Sequence, residues 1–322
     1  MSQGLLARWL ASPPPDAAVE ITGERVSAAV IGTRGGAAVV QSYAVEPLAP
    51  GAVVPSLTAH NIVDREAVRN AVSRAVGQLG RSPSRVALVI PDAAARVSLV
   101  KFDQVPARRE DLDQLIRWQV KKSAPFPIEE ACVTYSHGAR AADGSQEFVV
   151  VSARRPVIEE YEAVCEGAGL YAGLVDLATL SAINLFLAGA AIPAGDWMLV
   201  HMRPAYTSLV ILRGADVLFF RSRPEGEEDS LADIVHQTAM YYEDRLAGGG
   251  FSRVLLGGGG HTASAVDMTR RRLEERLQVA VEPIDPTRIV PIADRITSSP
   301  DLADILTPLL GVLMRTRAEA AA

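Results

Sequence analysis

The hydrophobic and polar positions of this chain follow two periods and change repeatedly from one to the other. Apolar residues recur every four positions from Val68 to Val76, which predicts a helix. The run 86–90 is apolar at every position, as in a strand buried on both faces, and Pro91 ends it. The same reasoning predicts helices at 65–79, 108–122, 158–167, 178–187, 231–246, 262–277 and 302–315, and strands at 19–31, 37–43, 86–90, 97–102, 132–136, 147–151, 170–175, 197–202, 207–212, 217–221, 254–256 and 279–282.

The order of these elements repeats weakly. A group of strands followed by a helix occurs near the N-terminus and again from Trp197, after the apolar helix at 178–187. This order predicts an α/β protein with two related halves and a small α+β insert, the actin/hexokinase/Hsp70 architecture. The predicted divisions are a first domain of 17–91, 166–192 and 300–322, an insert of 92–165, a second domain of 195–299 and an N-terminal extension of 1–16.

Composition excludes several classes of protein. The chain has 322 residues, of which 48% are hydrophobic and 22% charged, so it can bury a core and is not a disordered chain. Its net charge of −6 argues against a nucleic-acid partner, because such proteins usually carry a basic face. The lysines are Lys101, Lys121 and Lys122, and none follows a glycine-rich loop, so no P-loop is present. Cys132 and Cys165 lack zinc-ligand spacing and indicate a reducing compartment.

The apolar stretches do not predict a membrane span. The most apolar of them, 178–194, is interrupted by Ser181 and Asn184 and is too short to cross a bilayer. Four residues near the N-terminus share one face of a short helix and are expected to dock on the domain: Leu5, Leu6, Trp9 and Leu10. We therefore expect a cytoplasmic protein that reaches a membrane only through partners.

Several segments, taken in order, resemble the PilM family of type IV pilus assembly proteins. They include 118–135 (WQVKKSAPFPIEEACVTY), where a helix ends in a Pro-Phe-Pro turn, and 167–187 (GAGLYAGLVDLATLSAINLFL), where a strand ends in Asp176 before an apolar helix. The strands of 198–221, the helix of 231–245 that ends in YYEDR, the glycine loop of 256–260 and the closing helix of 306–315 also match. The resemblance covers nearly the whole chain from about residue 19.

The resemblance implies both a fold and a function. The family is similar to the cell-division protein FtsA and has the actin-like fold, in which 92–165 corresponds to subdomain 1C and domain 2 carries a subdomain 2B, reduced here at about 222–250. It implies a cytoplasmic adaptor that binds the short N-terminal tail of the inner-membrane protein PilN in the pilus alignment complex. The tail is expected in a groove between domain 1 and the insert. Family members typically bind ATP with magnesium in the interdomain cleft.

The first phosphate loop of the family is only partly kept. Its acidic residue corresponds to Glu20, but Thr22 replaces its first glycine and Ser27 replaces its lysine. A one-residue slip would let Gly23 restore the turn. Backbone N–H groups approach a phosphate closely only where no Cβ intervenes, which is why the family has glycine in this loop. The resemblance thus implies that Glu20 and Gly23 are remnants of a nucleotide site.

The second loop departs further. His201 replaces the family's aspartate, Arg203 its glycine, and Pro204 removes a backbone donor, while Thr207 is kept. Arg203 would meet a phosphate by charge only if it points into the cleft. The third loop, on the adenosine side, is well matched by Gly257, Gly258, Gly259 and Gly260. Together with the acidic linker at 222–230, these departures predict a degenerate ATP site with weak or no hydrolysis.

The sequence gives weaker signals for metal binding, for catalysis and for partner contacts. No two histidines have helical metal-ligand spacing, and His201 is expected to be a neutral filler of the cleft rather than a general base. Trp118 and Phe126 are candidate partner contacts, although core packing is the better expectation for Phe126. Two alternatives stay open: a working actin-like ATPase or kinase, for which Asp92 is placed as a base, and the cytoplasmic part of a GspL-type secretion protein, which would continue into a transmembrane helix.

Overall fold

The computed structural model describes residues 14–189, 192–224, 230–258, 262–293 and 301–321. The strands are β1 Ala17–Ile21, β2 Arg25–Arg34, β3 Ala37–Pro47, β4 Arg85–Ile90, β5 Ala95–Phe102, β6 Ala131–Arg140, β7 Gln146–Arg154, β8 Tyr171–Leu177, β9 Asp196–Arg203, β10 Tyr206–Arg213, β11 Asp216–Pro224, β12 Arg253–Gly257 and β13 Val281–Pro283. The helices are α1 Arg65–Gly77, α2 Arg109–Lys121, α3 Arg155–Gly167, α4 Ala178–Gly189, α5 Leu231–Arg245, α6 Ala263–Leu277 and α7 Leu302–Ala321.

Three sheets organise the described residues. Sheet A has the strand order β3-β2-β1-β4-β8, sheet B has β11-β10-β9-β12-β13, and the insert sheet has β5-β7-β6. In sheets A and B an antiparallel three-stranded meander is followed by parallel strands, with β1 and β9 at the junctions. The two halves therefore share one plan, as the sequence pattern predicts.

Apolar faces of the helices cover both sides of sheet A. One face packs against α1 and α3, and its other face packs against α4 and α7 through residues such as Leu306 and Leu310. Sheet B packs one face against α5 and α6, and the other against Ile183 and Phe186 of α4. Helix α4 thus lies between the two sheets, which explains why almost all of its faces are apolar.

The insert is built on its own small core. Leu112, Ile116 and Val120 are the buried positions of α2 and pack on β7 through Phe148. The opposite face of the insert sheet contacts sheet B, where Val149 belongs to one apolar cluster with Val217 of β11. Ala95 of β5 and Ala153 of β7 belong to the apolar cluster of sheet A, so the insert contacts both halves of the molecule.

The predicted strand over 19–31 was wrong as a single element. Thr22 turns the chain, because its N–H and Oγ1 both bond the carbonyl of Arg25, at 2.9 and 3.0 Å. The two halves of the run then pair antiparallel as β1 and β2. The other predicted elements are confirmed, with ends that differ by a few residues; α7 continues to Ala321 rather than ending at 315. Among the described helices, none is long and apolar enough to span a bilayer.

Candidate functional site

The cleft between sheets A and B contains a buried cluster of four charged side chains. Arg203, at the end of β9, is only 2% exposed and donates through Nη2 to Oε1 of Glu20 on β1. Its Nη1 donates to Oδ1 of Asp304 on α7 at 2.7 Å and to the Asp304 carbonyl at 3.2 Å. Arg25 of β2 donates to the other carboxylate oxygen of Asp304. Two guanidinium groups and two carboxylates thus join β1, β2, β9 and α7.

The charges of this cluster stabilise one another. Burial raises the pKa of Asp304, but the Arg203 and Arg25 guanidinium groups outweigh burial and lower that pKa to about 2. Burial lowers the pKa of Arg203, and the carboxylates of Glu20 and Asp304 reverse this and raise it. Burial also raises the pKa of Glu20, against the opposing effect of Arg203. Arg203 and Asp304 are therefore an ionised pair at neutral pH.

A second polar cluster lies beside the first. Asp92, just after β4, accepts from the Thr179 backbone N–H at 3.0 Å and from Ser208 Oγ at 2.6 Å. Thr179 Oγ1 is hydrogen-bonded to Nδ1 of His201 at 2.7 Å. All four side chains are buried, so this cluster ties β4, α4, β9 and β10 together.

His201 is neutral in this environment. Burial and the positive charge of Arg203 lower its pKa to about 3. Asp92 is also fully buried, and burial raises its pKa although Ser208 and Thr179 oppose the rise. The Oδ atoms of Asp92 are engaged by α4 and β10, which leaves this carboxylate no exposed face for the proton abstraction that a kinase base performs.

The glycine loop after β12 packs on β9. A Cβ on Gly257 would come 2.8 Å from the His201 ring, and a Cβ on Gly258 would come 2.0 Å from the Met202 carbonyl oxygen. Gly258 also has a φ of +74°, which side-chain-bearing residues rarely adopt. Packing against β9 and, for Gly258, the backbone conformation therefore require glycine at these two positions, whether or not a nucleotide binds there. Gly259 and Gly260, and the acidic linker residues 225–229, lie outside the described residues.

Gly23 lies next to the charged cluster, because it lines the same cavity as Arg203. It lines a cavity of about 300 Å³ between the β1–β2 turn and the β9–β10 turn, which carries Pro204. Three further prolines line this cavity: Pro50, Pro55 and Pro91. The structure thus brings Glu20, Gly257 and Gly258 to the cleft floor and Gly23 to its rim.

A larger groove lies between the insert and sheet A, and we call it groove A. Its volume is about 510 Å³, and it runs between the insert sheet and the β8–α4 segment. Asp176 lies in it with Arg315, whose Nη1 donates to Asp176 Oδ2 at 3.0 Å. Most of the remaining lining is apolar or small, including Val149, Val151, Leu174, Leu180, Ile183 and Leu187.

Two free strand edges occur next to groove A. β6 is an edge strand of the insert sheet and β8 is an edge strand of sheet A, and residues of both line the groove. Edge strands expose unpaired backbone N–H and C=O groups that can bind another chain. The sequence predicts a partner groove between domain 1 and the insert but not the residues that line it, because a free edge depends on the order of the strands in the sheet.

The two aromatic candidates have different environments. Trp118 of α2 is 56% exposed, and Lys122 Nζ lies 4.0 Å from the centroid of its ring. Phe126 is 8% exposed and belongs to the core of the insert. Core packing, the preferred expectation for Phe126, is confirmed, and its ring offers little surface to a partner.

The sequence pattern did not single out Asp304 as a residue of the cleft. The available signal was Pro308, which lies four residues later inside an apolar helix and leaves the Asp304 carbonyl without its helical hydrogen bond.

Comparison with known proteins agrees with this architecture. A model of the family described as type IV pilus assembly protein PilM matches residues 18–248. A chain of a solved PilM-PilN type IV pilus biogenesis complex is similar with a TM-score of 0.80 and 16% identity, over 94% of this chain and 99% of that chain. A Bacteroides thetaiotaomicron protein with an actin-like ATPase fold and unknown function has a TM-score of 0.50 and 10% identity, over 84% of this chain and 90% of that chain. The predicted actin-like fold is confirmed, and the chain belongs to the PilM family of type IV pilus assembly proteins.

Proposed function

We propose that this protein is an adaptor of type IV pilus assembly that holds the short N-terminal tail of a PilN-type inner-membrane protein in groove A. The observation that carries the proposal is an apolar groove of about 510 Å³ beside the free edges of β6 and β8. A similar chain occurs in a PilM-PilN complex. Capture of an extended peptide needs an apolar groove and unpaired backbone groups, and it needs no catalytic residue.

The adaptor role also carries our proposals for location and assembly. The protein would act on the cytoplasmic side of the inner membrane, held there by its partner within the pilus alignment complex. The interleaved division into domain 1, insert and domain 2 stays a prediction, and it is supported by the placement of β1–β4 and β8 in sheet A, β5–β7 in the insert sheet and β9–β13 in sheet B.

A peptide titration tests the adaptor role. A fluorescein-labelled synthetic peptide with the sequence of the cytoplasmic tail of PilN from the same organism should bind the full chain and show saturable anisotropy. Asn184 is half-buried and lines groove A, so Asn184→Trp should fill the groove and weaken binding at least tenfold. Asn70→Trp, at a half-buried position of α1 away from the groove, is the matched control. Failure of the tail to bind at tens of micromolar would overturn the proposal.

We further propose that the cleft does not hydrolyse ATP. Arg203 replaces the glycine of the second phosphate loop, and its guanidinium is bound to Glu20, the remaining acid of the first loop. A magnesium ion needs oxygen ligands that are free of such cations. Glu20 Oε2 has no hydrogen-bond partner among the described residues. This oxygen suits a water molecule, which can donate a hydrogen bond to it, better than a negatively charged phosphate oxygen, which has no proton to donate.

Calorimetry separates this proposal from the alternative of a working ATPase or kinase. Titration of Mg-ATP into the full chain should give no heat of binding, and phosphate release should equal the buffer rate. A PilM-family protein that keeps the aspartate and glycine of the second loop is the positive control. Micromolar binding of Mg-ATP with turnover would overturn this proposal and support a working ATPase.

A further inference from the structure

β6 borders a second groove on the other face of the insert sheet. This groove, which we call groove B, has a volume of about 610 Å³ and lies between β6, α2 and the loop before α2. Thr134, Tyr135 and His137 line both groove A and groove B. The two grooves therefore meet along β6, and its free edge runs between them.

Side chains of β6 alternate between the grooves, as the pleat of a strand requires. Cys132 and Ser136 line groove A only, whereas Val133 lines groove B only. On the groove B face, the rings of Tyr135 and His137 pack against Phe148, with centroids 5.8 and 4.9 Å apart. A strand added to the free edge of β6 would extend the same pleat, so its own side chains would alternate between groove A and groove B.

The two grooves differ in charge. Groove B carries Arg109, Asp113 and Arg117, which are four residues apart and share one face of α2. Tyr135 donates its hydroxyl to Asp113 Oδ1 at 2.6 Å, so that carboxylate already has a partner. No carboxylate of the described residues forms an ion pair with Arg109 or Arg117. Groove B is thus complementary to an acidic side chain, while groove A is mostly apolar.

We propose that the partner's tail binds by adding a strand to the free edge of β6, with apolar side chains in groove A and at least one carboxylate in groove B opposite Arg109 and Arg117. This inference rests on the proposed adaptor function. It adds to that function a binding geometry and a sequence rule for the tail: apolar residues at every second position, with an acidic residue between them.

Backbone methylation of the peptide tests strand addition without changing the protein. In an added antiparallel or parallel strand, only alternate N–H groups face the neighbouring strand. N-methylation moved one residue at a time along the PilN tail peptide should therefore weaken binding about tenfold at every second residue and have little effect between them. A loss without a period of two would overturn strand addition, and a tail with no acidic residue in the protected stretch would overturn the sequence rule.

Charge reversal tests groove B. Arg117→Glu should weaken tail binding about tenfold, the effect of a lost charge-assisted hydrogen bond, and replacing the acidic residue of the peptide by lysine should restore affinity for this variant. Arg96→Glu is the matched control, because Arg96 is an exposed arginine of β5, at the opposite edge of the same sheet. Thermal melts should show that both variants stay folded, with Arg117→Glu melting slightly below the parent chain because its carboxylate lies four residues from Asp113.

The outcomes distinguish this inference from the adaptor function. If the tail does not bind at all, the adaptor function fails. If the tail binds and responds to Asn184→Trp, but neither responds to Arg117→Glu nor shows the period of two, the adaptor function stands and the inference is wrong.

Discussion

A single side chain, Arg203, determines the character of the interdomain cleft. The resemblance to the PilM family predicts a glycine of a phosphate loop at this position, whereas arginine brings a long side chain and a positive charge of its own. The guanidinium points into the cleft, but it binds Glu20 and Asp304 of the protein itself. Arg203 thus forms an internal contact between β1, β9 and α7.

Removal of this guanidinium should be costly. Arg203→Leu leaves Glu20 without its ion-pair partner and Asp304 with only Arg25, so we expect a loss of about 3–5 kcal/mol in the free energy of unfolding. Urea titration measures this loss. The control is Arg271→Leu, because Arg271 pairs with Asp267 at a 70% exposed position, where the change should stay within about 0.5 kcal/mol. Equal losses in the two variants would contradict a buried ionic cluster.

His201 gives the protein a specific pH dependence. Its pKa in the folded chain is about 3, against an ordinary value of 6.5, so the folded state keeps it neutral while the unfolded state takes up a proton below pH 6.5. The contribution of His201 is fully present above pH 6.5 and is lost as the pH falls toward 3, by up to about 1.4 kcal/mol per pH unit.

The measurement is a comparison of two chains. The free energy of unfolding of the parent chain and of His201→Gln is measured by urea titration between pH 7 and pH 4.5. Below pH 6.5 the parent chain should lose stability more steeply than the variant, by a slope that corresponds to roughly one proton taken up on unfolding. Glutamine can still accept a hydrogen bond from Thr179, so the contact is retained while the titration is removed. Parallel curves would show that His201 titrates alike in both states.

At the scale of elements, α7 packs an apolar face on sheet A and also supplies a hydrogen-bond acceptor to the cleft. Pro308 lies inside the helix and has no N–H to donate to the carbonyl four residues earlier, which belongs to Asp304. Arg203 Nη1 donates to that carbonyl instead, at 3.2 Å. The arginine of the cleft thus supplies the hydrogen bond that the proline of α7 cannot give to the Asp304 carbonyl.

The contact between α7 and α4 depends on one glycine. A Cβ on Gly311 would lie 1.8 Å from the Ser181 carbonyl oxygen of α4, so Gly311→Ala forces the helices apart and should cost about 2–3 kcal/mol in a thermal or urea melt. Gly77→Ala is the control, because Gly77 is also helical and a Cβ there meets no atom within 4 Å. It should be neutral or stabilise by up to about 1 kcal/mol. A neutral Gly311→Ala would show that the helices can adjust.

At the scale of the whole molecule, buried polar contacts connect sheets A and B. Asp92 after β4 binds Ser208 of β10, and Glu20 of β1 binds Arg203 of β9. Contacts of this kind make two structural units unfold together, since neither can open without exposing unpaired buried groups.

Calorimetry should reveal this coupling. The parent chain is expected to unfold in one transition, and the double variant Asp92→Ala with Arg203→Leu in two, because both links between the sheets are weakened. A double variant Arg213→Ala with Arg271→Ala removes ion pairs that lie within the sheet B half, and it should keep one transition. A single, merely lowered transition in the first double variant would show that apolar contacts alone couple the halves.

Local patterns predicted most elements because a helix or strand imposes its own period on neighbouring residues. Helix α2 was predicted to within one residue at each end from the spacing of Leu112, Ile116 and Val120. The run 19–31 was mistaken for one strand because β1 and β2 are both buried and apolar on either side of Thr22. The polar stretch 22–25, which contains Gly23, is the local signal of this turn, but the hydrogen bonds from Thr22 that fix it follow only from the structure.

The sequence by itself determined the kinds and order of the elements, the two related halves and the resemblance to a pilus assembly family. Only the tertiary structure decided that Arg203 binds Glu20, 183 residues away, and Asp304, 101 residues away. It also decided that β6 and β8 are edge strands and that grooves A and B meet along β6. The reason is physical: periodicity reports what one segment does with its own faces, whereas a cleft, a groove or a free edge exists only once distant segments have packed.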